Sequence, residues 1–338
     1  MSRNTHNESF DVVIVGAGPV GKMAGLLLGR AGHSVLLVDR KAEDYPLPRA
    51  VGHDAEIARL MQRAGLPVDG MPDAVEAYDD LYVWVNAADE VLQEIDVSGV
   101  STSGWGNMYF YNQPTLEGRI ASALAGLPNV QIRRGLTARV ADQHDEGVTI
   151  AIEPMDGGPE TTVRARYVLG ADGANSATRI DAGIEWHDLG YFFDWLVVDV
   201  IPGDGFDVTH LAKQICDPVR PTTVVPSGPG RRRWEFMLLE GEDAKELERP
   251  EKIRELLAPF GVNPGNAQFE RGVVYTFAAG WAEKWRADRI FLVGDAAHLM
   301  PPFAAQGLAS GFRDVLNLSW KLDLVLRGLA EDSLLDSY

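Results

Sequence analysis

The chain has 338 residues, of which 46% are hydrophobic and 24% are charged, and its formal net charge is −18. This length and composition predict a globular protein with a large core and two domains. The negative charge argues against a nucleic-acid partner, because phosphate backbones are themselves anionic. No apolar run approaches the length of a membrane span, and the polar N-terminus lacks the apolar segment of a signal peptide.

The chain contains one cysteine, Cys216. A single cysteine excludes an internal disulfide framework and is typical of the reducing cytoplasm, which is the predicted location. We interpret Cys216 as an inert, half-buried thiol.

The first predicted elements are a strand at residues 10–15 (FDVVIV), a helix at 22–30 and a strand at 34–38 that ends in Asp39. The apolar, β-branched run is typical of a buried parallel strand. Between the first strand and the helix lies the glycine turn GAGPVG, in the context that a dinucleotide-binding motif requires.

Each glycine of this turn has a predicted task. Gly16 permits the tight turn, Gly18 lets the backbone approach a pyrophosphate, and Gly21 lets the helix pack close to the strand. The helix N-terminus offers N–H groups to phosphates. Asp39 lies where an acid binds ribose hydroxyls. These residues predict an ADP-binding site but leave FAD and NAD open, because both carry the same ADP moiety.

Alternating and periodic patterns predict the middle elements. In chain order they are a loop and helix at 49–65 with Asp54 as the N-cap, a hairpin at 81–95, a helix that Gln113 opens, and strands at 130–139, 147–153, 161–166 and 167–171, the last followed by Asp172 and Gly173.

From about residue 180 the pattern indicates a second, mostly antiparallel sheet. Its predicted elements are strands at 195–201, 222–225, 234–239 and 273–277, with a helix at 250–259. A strand at 289–293 then returns to the parallel pattern and ends at Gly294 and Asp295. The nucleotide domain is therefore predicted to be discontinuous. A site formed by segments so far apart suits FAD, which is long, better than a free nicotinamide nucleotide.

Three motifs in order resemble those of the single-component FAD-dependent aromatic hydroxylases of the p-hydroxybenzoate hydroxylase type. They are the glycine turn, GADGANSATR around Asp172, and GDAAHLMPPFAAQGLASGFRD around Asp295. Within this family the chain is most similar to 3-(3-hydroxyphenyl)propionate hydroxylases and related phenol hydroxylases. The resemblance covers nearly the whole chain. It implies an α/β fold, with a Rossmann-like FAD-binding domain and an inserted, mostly antiparallel β-sheet substrate domain.

The resemblance implies domain boundaries as well. Residues 1–78, 106–181 and 279–338 would form the FAD-binding domain, and residues 79–105 and 182–278 the substrate domain. Relatives usually continue beyond the final LLDSY, so we expect a fragment or a shortened form, in which the usual C-terminal extension is absent.

The resemblance also implies the cofactor contacts. Asp295 would bind the ribityl hydroxyls, Gln113 would touch the ribityl chain, and Arg49 would contact flavin or pyrophosphate. A loop at 301–307 would follow the flavin ring, and the helix from about Leu308 would point its N-terminus at the flavin. The complete set implied for FAD is Gly16, Gly18, Pro19, Gly21, Asp39, Arg40, Arg49, Gln113, Asp172, Gly173, Arg179, Gly294, Asp295, Pro302, Gln306, Gly307 and Leu308.

The implied activity is hydroxylation of a phenolic or other electron-rich aromatic compound with O2 in aromatic catabolism. NAD(P)H would bind transiently and reduce FAD, and oxygen would be transferred from a flavin C4a-hydroperoxide. The flavin does the chemistry, so no side chain is assigned as catalytic and no metal is expected. The candidate substrate contacts are Tyr275, Trp234, Met237, Phe303 and His210. The family also allows a homodimer.

Three other features carry expectations. We interpret Arg231, Arg232 and Arg233 as a solvated hairpin tip that attracts NADPH phosphate at most weakly, and His298 as a loop histidine held by backbone. Ala304 and Ala305 replace the two glycines usual before the glutamine of the flavin loop, and their methyl groups would restrict the backbone.

Alternative functions on the same fold are also open. A halogenase is disfavoured because WLVVDVIP at 195–202 lacks the second tryptophan of the halogenase signature. A flavin-dependent reductase or dehydrogenase and a non-enzymatic GDI-like escort protein are the alternatives that stay open.

Overall fold

The structure is a computed structural model that describes residues 8–302 and 305–338. Its α-helices are α1 (Pro19–Arg30), α2 (Ala55–Arg63), α3 (Gln113–Ala125), α4 (Ala177–Asp181), α5 (Ala244–Leu247), α6 (Pro250–Leu257) and α7 (Gln306–Leu326). Its strands are β1 (Glu8–Val15), β2 (Val35–Asp39), β3 (Gly52–Asp54), β4 (Val75–Tyr78), β5 (Leu81–Val85), β6 (Val91–Asp96), β7 (Met108–Tyr111), β8 (Val130–Arg134), β9 (Leu136–His144), β10 (Gly147–Pro154), β11 (Thr161–Gly170), β12 (Trp186–Pro202), β13 (Ala212–Ile215), β14 (Thr222–Pro226), β15 (Arg232–Met237), β16 (Ala267–Ala282), β17 (Arg286–Ala287), β18 (Ile290–Leu292) and β19 (His298–Leu299).

The first sheet carries the glycine turn. Its strand order is β17-β18-β11-β1-β2-β8, and β10 and β9 extend it from β11. Strand β1 runs parallel to β2 and β11, and β11 runs parallel to β18. Helices α1, α3 and α7 cover one face, where Leu26, Leu124 and Phe312 are fully buried in one core cluster. The two distant glycine segments therefore lie at the ends of parallel strands, β1 and β18, of one mixed sheet.

The predicted strand at 130–139 is in fact two strands with different partners. Residue Gly135 has a φ of +69°, a left-handed conformation that glycine adopts without strain. The chain turns there, so β8 pairs parallel with β2 whereas β9 pairs antiparallel with β10. Conversely, the two strands predicted at 161–166 and 167–171 form the single strand β11.

The second sheet has the strand order β19-β16-β12-β15-β14-β13-β5-β6 and is antiparallel except between β13 and β5. Helices α5 and α6 cover one of its faces, where Leu196, Trp234 and Phe236 pack against helix residues such as Ile253 and Leu257. A third, small sheet has the order β3-β7-β4. The predicted fold class, a Rossmann-like α/β unit combined with a mostly antiparallel sheet, is confirmed.

Candidate functional site

The glycine turn is packed tightly on its inner side. A Cβ on Gly16 would lie 2.3 Å from the carbonyl oxygen of Ala171, and a Cβ on Gly21 would lie 2.0 Å from that of Gly16. Gly16 also has a φ of +106°. These contacts fix the end of β1, the start of α1 and the end of β11 against one another.

The outer side of the same turn is open. A Cβ on Gly18 would meet no atom of the described residues within 4 Å. Gly18 is the N-cap of α1 and Pro19 begins the helix, and none of the side chains described in 8–302 and 305–338 caps the N–H groups there. Uncapped helix N–H groups beside open space are the arrangement that binds phosphate.

Asp39 at the end of β2 positions the turn directly. One carboxylate oxygen accepts the N–H of Ala17 at 2.7 Å, and the other accepts the N–H of Lys41 at 2.8 Å. The next side chain, Arg40, is exposed. The acid predicted to bind ribose thus also holds the backbone around the turn, and its ribose contact stays a prediction.

The second glycine segment is held by Asp314 of α7. Its Oδ2 accepts the N–H of Gly294 at 2.8 Å and bonds Nε2 of His298 at 2.7 Å. The interpretation of His298 as a residue held by backbone is therefore wrong, because its partner is a buried carboxylate. Gly294 also lies close to α1, since a Cβ on this glycine would be 3.1 Å from Cγ2 of Val20. The two glycine segments are thus direct neighbours.

Asp295 directly follows Gly294 in the second segment. Its side chain is exposed to solvent, although many protein atoms lie around the carboxyl group. Burial raises the pKa of the Asp295 carboxyl, whereas Arg49 and His298 act to lower it. No side chain or backbone N–H of the described residues donates to this carboxylate. Its acceptor capacity is therefore available to the hydroxyls of a ligand.

Gln113 braces the loop that carries Arg49. Its Oε1 accepts the N–H groups of Arg49 and Ala50 at 3.0 and 2.8 Å. Its Nε2 donates to Glu117 at 2.8 Å, and Glu117 pairs with buried Lys22 of α1 at 2.9 Å. This network links the Arg49 loop to the glycine-turn helix. Sequence reasoning missed Lys22 and Glu117, although a lysine inside an otherwise apolar helix was an available signal.

Residues Asp172 and Arg179 hold the turn after β11 together. The Asp172 carboxylate accepts the N–H and the hydroxyl of Thr178 at 3.0 and 3.1 Å. The Arg179 guanidinium donates to the carbonyl of Ala174 at 3.1 Å and lies 4.6 Å from the ring of Trp186. These contacts are structural, and the predicted contacts of Asp172, Gly173 and Arg179 with FAD remain predictions.

The predicted flavin loop is described in part. Phe303 and Ala304 lie outside the described residues. Ala305 has a φ of +56°, a left-handed conformation in which glycine is more usual. Helix α7 begins at Gln306, slightly before the predicted start at Leu308, and Oε1 of Gln306 accepts from Arg313 at 3.0 Å. The start of α7, with Gly307 and Leu308 in its first turn, directly follows this loop.

A buried polar cluster occupies the face of the second sheet that α5 and α6 leave uncovered. Asp199 of β12 is fully buried and accepts from Arg233 of β15 at 2.7 and 2.9 Å. Arg271 of β16 approaches the same carboxylate at 2.9 Å. Arg233 also donates to the carbonyls of Pro48 and Arg49 at 2.8 and 2.7 Å. This cluster therefore fastens the Arg49 loop to the second sheet.

The interpretation of residues 231–233 as a solvated hairpin tip is wrong. Arg232 and Arg233 are 4% and 1% exposed, and Arg232 donates to backbone carbonyls, including that of His210 at 2.9 Å. Arg231 pairs with Glu270 at 3.2 Å. A run of charges suggests a solvated segment in sequence, but alternation along β15 sends Arg232 and Arg233 to opposite faces of the sheet, where each finds acceptors.

Asp199→Asn is expected to destabilise the protein by about 3–5 kcal/mol, because it leaves two buried guanidinium groups without their carboxylate. Thermal or denaturant unfolding measures the change. Asp188→Asn, at an exposed position of the same strand, is the control and should be nearly neutral. Similar stabilities for the two variants would contradict the role of Asp199.

Strands β12 and β15 also contribute Trp195 and Met237 to a pocket of about 350 Å³, within the size range of ligand sites. Its lining is mainly aromatic and aliphatic, and it includes Trp84, Phe193, Trp195, Gln214, Cys216 and Met237. Cys216 is exposed, so its interpretation as a half-buried thiol is wrong.

Of the candidate substrate contacts, Met237 lines this pocket, whereas Tyr275 is not one of its lining residues. Both pair with Trp195, one from each neighbouring strand. The Tyr275 hydroxyl bonds that of Tyr45 at 2.8 Å and accepts from Arg271 at 3.1 Å. Burial raises the pKa of Tyr275 to about 12. Its hydroxyl therefore stays protonated at neutral pH and can both donate and accept a hydrogen bond.

Trp234 and His210 lie elsewhere, and Phe303 is outside the described residues. Trp234 is fully buried on the helix-covered face, with its ring centroid 6.0 Å from that of Phe260. His210 is exposed and lies 5.5 Å from the ring of Tyr78. Trp234 therefore serves the core in this structure, and neither residue lines the pocket.

Trp234→Leu is expected to destabilise the protein by about 2 kcal/mol through the cavity it leaves, with substrate affinity changed less than about threefold. Urea unfolding and ligand titration measure the two quantities. Met237→Leu nearly conserves volume, so it should leave the stability almost unchanged. Its substrate affinity should change more than that of Trp234→Leu. A large loss of substrate affinity in stable Trp234→Leu would contradict the core assignment.

The described residues carry no grouped metal ligands and no membrane-spanning helix. Within 8–302 and 305–338, no three His, Cys, Asp or Glu side chains lie together as metal ligands. No helix of the same residues is both long and apolar enough to cross a membrane.

Comparison with known proteins connects this site to flavoproteins. A family model described as an FAD binding domain matches residues 9–338. A Rhodococcus jostii protein named as a probable NADH-specific resorcinol 4-hydroxylase is 41% identical over 98% of this chain and 62% of its own length. A Comamonas testosteroni 3-(3-hydroxy-phenyl)propionate/3-hydroxycinnamic acid hydroxylase is 36% identical over 98% of this chain and 55% of its own length. The chain thus spans less than two thirds of these curated relatives.

Solved structures give the same relationship. The crystal structure of p-nitrophenol 4-monooxygenase from Pseudomonas putida superimposes with a TM-score of 0.87 at 27% identity, over 98% of this chain and 84% of that one. Aklavinone-11 hydroxylase, in a complex with FAD and aklavinone, superimposes with a TM-score of 0.83 at 26% identity. The match covers 98% of this chain and 65% of that one. The predicted resemblance to FAD-dependent aromatic hydroxylases is confirmed, and the chain belongs to the FAD binding domain family.

Proposed function

We propose that this chain is the FAD-binding and substrate-binding part of a monooxygenase that hydroxylates a phenolic or other electron-rich aromatic compound with O2 and NAD(P)H. The observation that carries the proposal is the position of Asp295. It follows Gly294, which packs against Val20 of the glycine turn, and it lies near Arg49, whose loop Arg233 fastens to the second sheet. The named hydroxylase relatives support the same activity.

The residues present fit FAD. The open side of Gly18 and the uncapped N-terminus of α1 would accept the pyrophosphate. Asp39 would bind the ribose, and the Asp295 carboxylate, which receives no hydrogen bond from the part of the chain that the structure describes, would accept ribityl hydroxyls. Arg49, held by Gln113, would contact the flavin or the pyrophosphate. Bound FAD would supply the redox and oxygen chemistry, which protein side chains do not provide.

The chain's own residues have three tasks in the proposed reaction. The apolar lining of the pocket orients an aromatic ring and excludes water. The Tyr275 hydroxyl, positioned by Tyr45 and Arg271, holds a phenolic oxygen by hydrogen bonding. Asp199 keeps Arg233 and Arg271 in place and so fixes the Arg49 loop. We propose the domain boundaries given above with this division of tasks, and we extend the proposal to a homodimer.

The test is NADH and NADPH oxidation by the FAD-loaded protein, with and without a panel of phenols, followed by product analysis. We expect a phenol to stimulate oxidation and a hydroxylated product to accumulate. Oxidation without oxygen incorporation would indicate a reductase or dehydrogenase instead. A protein that takes up no FAD would indicate a GDI-like escort, and either result would overturn the proposed function.

A further inference from the structure

One buried acid has no task in the proposed reaction. Glu235 of β15 is 9% exposed, and burial raises the pKa of its carboxyl. It lies on the pocket side of the sheet, between Arg233 and Met237 in the alternation of β15. Its nearest cation is Arg233, at 3.7 Å, which is too far for a hydrogen bond.

Two arginines of the buried cluster share one carboxylate. Arg233 and Arg271 share Asp199, and Arg233 uses its other N–H groups on the carbonyls of Pro48 and Arg49. With Glu235 ionised, the cluster holds two guanidinium groups and two carboxylates. It therefore has no net positive charge with which to offset a substrate carboxylate.

The pocket itself offers polar groups without charge. None of its described lining residues is Arg, Lys, His, Asp or Glu. Gln214 of the lining donates to the Tyr82 hydroxyl at 2.6 Å and accepts from Thr223 at 2.7 Å. Thr223 is in turn the cross-strand neighbour of Glu235. A carboxylate buried here would lose hydration without gaining a cation, which is costly.

We propose that the site selects an uncharged phenol with a neutral polar substituent and rejects aromatic carboxylates, and that Glu235 is a specificity-determining residue for this choice. This inference rests on the proposed function for its site, but it concerns binding rather than turnover. The substrate class is therefore testable even if no product forms.

The test measures binding of three probes to the FAD-loaded protein by equilibrium dialysis. They are resorcinol, 3-hydroxybenzamide and 3-hydroxybenzoate, of which the last two match in size but differ in charge. We expect 3-hydroxybenzoate to bind about 30-fold more weakly than 3-hydroxybenzamide, because its charge is buried without a partner. Equal or tighter binding of 3-hydroxybenzoate would overturn the inference, and so would failure of all three probes to bind.

Glu235→Gln is the matched variant. It leaves two guanidinium groups against one carboxylate, so we expect 3-hydroxybenzoate to bind about tenfold more tightly while resorcinol affinity changes less than about threefold. Glu270→Gln, which removes an acid paired with Arg231, is the control and should leave the selectivity unchanged. An unchanged selectivity in Glu235→Gln would overturn the role of Glu235. If neutral probes bound preferentially but did not stimulate NAD(P)H oxidation, the proposed function would be refuted and the inference about selectivity would stand.

Discussion

Asp295→Ala is expected to purify without FAD and to bind added FAD at least about 30-fold more weakly. This loss corresponds to about 2 kcal/mol, the typical value of hydrogen bonds to a charged group. In the protein, the exposed Asp295 carboxylate follows Gly294 and receives no hydrogen bond from the described residues. A ribityl hydroxyl would be its first strong partner. Flavin absorbance of the purified protein and titration with FAD measure the effect.

The same substitution should not destabilise the apoprotein. Burial raises the pKa of Asp295, so its ionised form is disfavoured in the folded state at neutral pH. This unfavourable contribution is absent at low pH and develops as the pH rises past the ordinary value of 3.8. Removing the carboxyl therefore leaves the Tm of the apoprotein unchanged or higher. A large fall in Tm would show that Asp295 acts in folding rather than in binding.

Two further variants locate the effect. Asp295→Asn keeps the shape and one acceptor oxygen, so its FAD affinity should lie between those of the wild type and Asp295→Ala. Glu283→Ala removes an exposed acid from the surface and should bind FAD normally. Normal flavin content in Asp295→Ala would contradict the assignment of Asp295 to the ribityl chain.

The elements that local sequence determines were predicted well. The β1 strand, the glycine turn and α1 follow from an apolar run, a steric requirement for glycine and a helix-forming segment, all within a few residues. Asp54 caps α2 as predicted, accepting the N–H groups of Glu56 and Ile57. In contrast, the break at Gly135 depends on which strand each half joins. The partner strands, β2 and β10, are distant in sequence. A local pattern therefore does not specify this pairing.

The same reason separates the residues of the candidate site. Asp295 and the glycine turn are motifs, so the sequence pointed to them directly, and their contacts with FAD stay predictions. No motif marks Asp199, Glu235 or the burial of Arg233, because each depends on a partner from another strand. Trp234 and Met237 show the difference within one strand. Both are large and apolar. Trp234 is a core residue because it lies on the sheet face that α6 covers, and Met237 lines the pocket, but the sequence does not show which face α6 covers.

Gly18→Ala is the second variant with a large expected effect, and it separates folding from cofactor binding. Gly18 has φ −71° and ψ −177°, values that alanine adopts easily, and its added Cβ would meet no atom within 4 Å among the residues that the structure describes. The apoprotein should therefore keep its stability within about 0.5 kcal/mol. A pyrophosphate that approaches the backbone here would meet the new methyl group, so FAD affinity should fall about 10- to 100-fold.

Two other glycines provide the comparison that makes this result decisive. Gly16→Ala would place a Cβ 2.3 Å from the Ala171 oxygen at a φ of +106°, so it should fail to fold whether or not FAD is present. Gly118→Ala in α3 meets nothing within 4 Å and should stabilise the helix by about 1 kcal/mol without changing FAD affinity. Thermal unfolding of the apoproteins and FAD titration distinguish the three. If Gly18→Ala bound FAD as tightly as Gly118→Ala, the pyrophosphate would have to lie away from the turn, and the open side of Gly18 would have no part in the site.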